Sequence, residues 1–158
     1  MRKSLFVGSL AIGAVMLFSS SMVLAADNWL GTWKLNVEKS KVSPGPAPKS
    51  LTLKFEASQG VTTLTSDGVN AEGTAIHTGW TSKLDGKEVP FPGNPNADTA
   101  SPKKVDDNTY TNAWKKAGKA TINAKAVVSA DGKTLTVTQT GKNAKGEAVN
   151  TTAVYEKQ

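Results

Sequence analysis

The chain contains no cysteine, one histidine and one arginine among 158 residues. Each scarcity excludes a class of chemistry. Without cysteine there is no disulfide, no thiolate nucleophile and no thiolate metal ligand. With His77 alone there is no imidazole cluster for a metal and no partner for a Ser–His triad. The single arginine, Arg2, falls in the first few residues, so the rest of the chain has no guanidinium for bidentate recognition of phosphate or carboxylate. Nucleic acid is therefore not an expected partner. Helical periodicity is also missing: no stretch beyond the N-terminus sustains a 3.6-residue apolar repeat.

The one long apolar run spans Leu5 to Phe18, broken only by Gly and Ser. Arg2 and Lys3 precede it, and Val23-Leu24-Ala25 follows a serine triplet. A basic n-region, a short apolar core and a small-residue cleavage site describe a secretory signal peptide over residues 1–25. The core is shorter than the roughly 20 residues of a spanning helix, so no stable membrane insertion is expected after cleavage. A periplasmic or secreted protein beginning at Ala26 is the expectation. Its 133 residues, 26–158, suit a single domain. After cleavage 17 lysines face 13 carboxylates, a net charge of +4. Lysines scattered along strands protect edges and aid solubility.

What the mature region has in abundance is alternation and turns. Gly31-Thr32-Trp33-Lys34-Leu35-Asn36-Val37 puts Trp33, Leu35 and Val37 on one face, with Gly31 leaving room beside the indole. Glu38 to Ser50 carries Pro44, Pro46 and Pro48 and reads as extended linker. Leu51 to Glu56 alternates strictly, and Val61 to Ser66 is a Thr-rich strand whose inward face the pattern leaves open. Thr74 to Leu84 reads as one long strand with Ile76, Thr78, Trp80, Ser82 and Leu84 together. Asp85-Gly86 is a hairpin signal, and Phe91 sits between Pro90 and Pro92 on a rim strand. Gly93 to Asp98 is the most loop-like segment. Four further strands follow: Thr99 to Val105, Thr109 to Lys115, Thr121 to Val128 and Lys133 to Thr140. Val149 to Tyr155 ends the meander. The expected class is all-β: an antiparallel up-and-down meander of about 8–10 strands, closed into a barrel because closure removes exposed edges.

Parity collects Trp33, Phe55, Trp80, Phe91, Tyr110, Trp114 and Tyr155 inside, with Trp29 closing one end. These rings either fill the barrel or line a cavity. The small inward residues Ala124, Ala126, Thr151 and Ala153 are compatible with both. The residues expected to touch a ligand are Trp33, Trp80, Phe91 and Trp114, with Thr78, Asn112 and Thr151 as the polar contacts. Gly93 to Asp98 is the expected gate. His77 falls on the outer face, and Asp106-Asp107 is a turn rather than an acid–base pair. No catalytic residue, metal site or cofactor is expected.

Gly31-Thr32-Trp33 on the first strand of a meandering barrel resembles the signature shared by lipocalins, fatty-acid-binding proteins and avidins. Together with Ser43-Pro44-Gly45-Pro46-Ala47-Pro48, Gly93 to Thr99 and Asp131-Gly132-Lys133-Thr134, it resembles exported bacterial lipocalin-like (calycin-type) proteins, a group without a settled activity. The resemblance implies a lipocalin-like barrel. The chain departs from the better-known relatives in three ways. It has no arginine to cover the first-strand Trp, a place left to Lys157 or Lys125. Asn108-Thr109-Tyr110 stands in for the Thr-Asp-Tyr motif. Its proline-rich linker cannot form the helical lid of fatty-acid-binding proteins. The expected function is non-enzymatic binding of a small apolar or amphipathic molecule. The alternative is a filled barrel serving as a structural or protein-interaction module of the cell envelope, and a hydrolase or isomerase comes third. Amino-terminal sequencing of exported protein is expected to begin at Ala26; a start at Met1 overturns the signal-peptide reading.

Overall fold

The computed structural model describes residues 27–158; the signal-peptide reading of residues 1–25 lies outside them. Ten strands make one antiparallel sheet: β1 (Gly31–Lys41), β2 (Ser50–Ser58), β3 (Val61–Val69), β4 (Ala75–Ser82), β5 (Val89–Pro90), β6 (Thr99–Lys104), β7 (Thr109–Lys116), β8 (Lys119–Val128), β9 (Thr134–Lys142) and β10 (Ala148–Lys157). Their order is β4-β3-β2-β1-β10-β9-β8-β7-β6-β5. Every neighbour is a sequence neighbour except where β1 pairs β10, the ladder that curls the meander into a nearly closed barrel. There is no helix among the described residues.

The strands form where alternation demands them. In β8, Ile122, Ala124, Ala126 and Val128 are buried while the residues between them are not. β10 buries Val149, Thr151, Ala153 and Tyr155 in the same way. The inward face of β3, which the pattern left open, is Thr62, Leu64 and Ser66.

The Asp85-Gly86 signal does not join two paired strands. β4 ends at Ser82, two residues short of the expected strand. Leu84, buried, turns with a φ of 57°, and its N–H donates to Ser82 Oγ at 3.0 Å. β5 then pairs β6 instead of β4. Pro90 and Pro92 supply no N–H to a β4 ladder, so the seam between β4 and β5 is closed by packing. There Gly93 crosses the backbone of His77 so closely that a Cβ would lie 2.2 Å from the His77 carbonyl oxygen.

The closed end is built on Trp33, which is fully buried. Its Nε1 donates to the Trp29 carbonyl at 2.7 Å. Trp29 is buried beside it and meets Tyr110 edge-on at 5.9 Å. Tyr110 also meets Phe55 at 5.6 Å and Trp80 at 6.2 Å. Each large ring buried this way contributes about 4–6 kcal/mol of transfer free energy, at roughly 25 cal/mol per Å² over 150–250 Å². The space at Gly31 is used differently from the expectation. With φ at 118°, a Cβ there would meet Lys157 Cε at 3.3 Å, so the glycine admits the lysine stem. Register places Lys157 opposite Trp33, and its Nζ lies 5.0 Å from the indole centroid. Of the two lysines the sequence offered, Lys157 covers Trp33.

Trp33→Phe is expected to cost about 1–3 kcal/mol, because it strands the buried Trp29 carbonyl and leaves a gap. Lys157→Met, which keeps the stem, is expected to cost less than about 1 kcal/mol. Urea unfolding of both variants checks the order; equal costs would remove the special role of the indole N–H.

Candidate ligand cavity

Two connected spaces lie above the aromatic floor. The inner one is a cavity of about 130 Å³ in the barrel interior. The outer one, about 670 Å³, is the mouth formed by the β1–β2 linker, the β3–β4 turn, the loop after β5 and the start of the β9–β10 turn. Both are lined by Ile76, Thr78, Asn94, Trp114 and Gln139.

Five of the seven residues picked from the sequence line the inner cavity: Thr78, Trp80, Phe91, Asn112 and Trp114. Thr78 and Trp80 share β4, and Asn112 and Trp114 share β7. Each pair is two residues apart and so faces the same way. Phe91 stacks edge-on with Trp114 at 5.3 Å. Thr151 lies in the mouth, but its hydroxyl is engaged. It donates to the Ser43 carbonyl and accepts from the Ser43 N–H, both at 3.2 Å. With Asn150 N–H also donating to Ser43 O at 3.0 Å, Thr151 fastens the proline-rich linker across one side of the mouth. Trp33 lines neither space and belongs to the closed end.

Gly93, Asn94, Pro95 and Asn96 line the mouth. Asn96 is anchored by its carbonyl to Thr121 Oγ1 at 2.9 Å and by Oδ1 to the Ala144 N–H at 3.2 Å. Asp98 faces outward; the Ala117 N–H donates to it at 2.8 Å and Lys116 Nζ at 2.7 Å. The Ala117 N–H first, then the Lys116 amine, hold the Asp98 carboxyl below the usual carboxylate range, with desolvation opposing. The loop is thus fixed at Asn96 and Asp98, and the span over the mouth is Gly93 to Pro95. His77 presents its side chain outside, with Nδ1 2.5 Å from Asp67 Oδ1.

Sequence reasoning did not select Ser66, Ile76 or Gln139 for this wall. Ser66 and Gln139 continue the inward parity of Leu64 and Val137, so the alternation carried the signal even though polarity argued the other way. Ala124 also lines the cavity, whereas Ala126 and Ala153 pack into the core.

The electrostatics are those of an uncharged site. No Lys, Asp or Glu lines the inner cavity. Four residues of its lining each carry a buried polar atom with no hydrogen-bond partner: Thr78 Oγ1, Trp80 Nε1, Asn112 Oδ1 and Trp114 Nε1. Leaving such an atom unpaired costs about 1–3 kcal/mol. Among the described residues there is no group of three or more His, Cys, Asp or Glu placed to hold a metal ion.

No family model matches the chain, and neither does any curated protein. Solved structures do. Zebrafish ileal bile acid-binding protein complexed with cholic acid is similar at a TM-score of 0.50 and 14% identity, over 83% of this chain and 99% of that one. A redesigned β-barrel, mFAP1, bound to DFHBI aligns at a TM-score of 0.45 and 15% identity, over 84% and 98%. A de novo fluorescence-activating β-barrel aligns at 0.46 and 13%, over 87% and 100%. At these identities the likeness is one of fold.

Tyr110 and Tyr155, the chain's two tyrosines, both line the cavity. Burial pushes both phenols up, with the charge of Tyr155 adding to the effect at Tyr110. A raised folded-state value leaves stability intact below the ordinary 10.0 and erodes it as pH rises beyond. Neither tyrosine is expected to develop phenolate absorbance until the barrel unfolds in alkali. Titration at the ordinary value with native circular dichroism retained would contradict this burial.

Proposed function

We propose that this protein is an exported, non-enzymatic lipocalin-like barrel that binds a small apolar or amphipathic molecule, with the buried part of that molecule in the inner cavity and the remainder in the mouth. The observation that carries the reading is a cavity lining rich in aromatic and aliphatic side chains, four of whose residues carry a buried polar atom without a partner. Binding sites of this kind are mostly apolar with a few convergent polar groups. The mouth falls within the usual 300–1,000 Å³ of ligand pockets. Trp80, Phe91 and Trp114 supply the apolar walls, and Thr78 and Asn112 the polar contacts. Gly93 to Pro95 borders the opening through which a ligand would pass. Absence of a tuned acid–base pair in the lining favours binding over turnover. The basic, apolar and small-residue pattern of residues 1–25 supports a periplasmic or secreted location, with the barrel starting at Ala26. The quoted segments from Gly31 to Thr134 support kinship with exported bacterial lipocalin-like proteins.

The small inner volume favours a second reading, a filled barrel acting as a structural or protein-interaction module. Ala124 separates the two. In a working cavity, Ala124→Leu occupies ligand space; stability is expected to change by less than about 1 kcal/mol while ligand affinity falls about tenfold or more. In a filled barrel the same change overpacks the core and costs about 1–3 kcal/mol. Native mass spectrometry of protein taken from its own compartment, followed by urea unfolding of the variant, checks both. A clean ligand-free mass together with a destabilised variant overturns the binding reading.

A further inference from the structure

Among the described residues, the two spaces contain lining side chains of 30 different positions and none is a lysine, aspartate or glutamate. His77 is the one imidazole at the mouth, and its side chain is turned out toward Asp67. The two cavity tyrosines carry no charge at neutral pH, and burial pushes their phenols further up. A barrel whose surface carries many lysines therefore keeps every one of them out of its interior. A carboxylate buried there would lose its hydration without gaining a cation.

The unpartnered atoms have a bias of their own. Two are indole N–H groups, on Trp80 and Trp114, which can only donate. Thr78 Oγ1 can donate or accept, and Asn112 Oδ1 can only accept. Trp80 and Asn112 are each more than nine-tenths buried. The fifth unpartnered atom, Trp29 Nε1, sits on a residue that lines neither space. The donors thus outnumber the acceptor, and they stand on β4 and β7, two strands separated in the meander that the barrel brings together around one cavity. At about 130 Å³, the cavity is close to the ~150 Å³ that accommodates a benzene ring.

Resting on the binding reading above, we propose that the ligand is an uncharged molecule with a single-ring head group bearing acceptor oxygens, an aryl ketone, ester or quinone in kind, and not a fatty-acid-like anion. The head occupies the inner cavity, where its oxygens accept from Trp80 Nε1, Trp114 Nε1 and Thr78 Oγ1. Its apolar substituent runs past Ile76 and Trp114 into the mouth.

Three matched probes test this: 4-octylacetophenone, 4-octylbenzoate and 1-ethyl-4-octylbenzene, each titrated at neutral pH by tryptophan fluorescence. The ketone is expected to bind about tenfold more tightly than the hydrocarbon, which displaces any water serving the buried donors without replacing its hydrogen bonds. It is expected to bind at least tenfold more tightly than the benzoate. Thr78→Val, which keeps shape and removes a donor, is expected to bring ketone affinity toward that of the hydrocarbon and leave the hydrocarbon unchanged. Trp114→Phe, which removes a donor and also opens space, is expected to lower the ratio of ketone to hydrocarbon affinity. Thr78→Val is nearly isosteric and keeps the test open if Trp114→Phe does not fold. A benzoate equal to the ketone, or a hydrocarbon equal to it, overturns the head-group assignment while leaving the cavity a binding site. If none of the three binds, the binding reading falls and this proposal with it.

Discussion

The structure depends on the burial of one indole. Trp33 sits at the point where β1 meets both β2 and β10, opposite Leu53 on one side and Lys157 on the other. Its N–H is satisfied by the Trp29 carbonyl, which requires the chain before β1 to fold back beneath the barrel. That approach is held by Asn28 N–H on the Asp107 carbonyl and by Lys104 between Asp27 and Asp107. One apolar ring with one donor therefore ties the entry of the chain, the β1–β10 closure and the β6–β7 turn to each other. Removing surface from water supplies the energy, and the single hydrogen bond supplies the direction.

From that floor upward the interior changes character. Trp29, Phe55, Tyr110 and Trp80 meet edge-on, and Trp33 is buried beside them with its N–H on the Trp29 carbonyl. Above them the lining turns to Ser66, Thr78, Asn112, Ala124 and Gln139, residues too small or too polar to continue the same packing. Interior polar groups are expensive unless satisfied. A barrel that served only as a packed scaffold would gain stability by replacing Thr78 and Asn112 with apolar residues of similar size. Their presence, unpartnered, beside an opening is the feature that separates this half of the barrel from its floor.

Much of this was legible from alternation. The inward faces of β2, β8 and β10 follow from period two, and the ring set with it. Thr78, Trp80, Asn112 and Trp114 were placed inward by parity and do line one cavity. Parity could not tell Trp33 from Trp80, because both are inward rings on strands; distance along the barrel axis separates them, and a period of two carries no axial coordinate. It also missed Gln139, where a polar side chain lies inward. The Asp85-Gly86 signal failed for a related reason. A turn dipeptide reports local backbone preference, whereas the pairing of β5 was decided by its prolines and by the need to bury Phe91. The lysine over Trp33 was narrowed to two candidates by composition, and register chose between them.

By itself the sequence determined the all-β class and the meander. It did so because strand alternation and turn chemistry are local properties, readable residue by residue. Tertiary structure alone decided that a cavity exists and which atoms in it go unsatisfied. Both are properties of residues distant in sequence, Thr78 on β4 and Trp114 on β7 among them, whose packing density is set only when the sheet closes on itself.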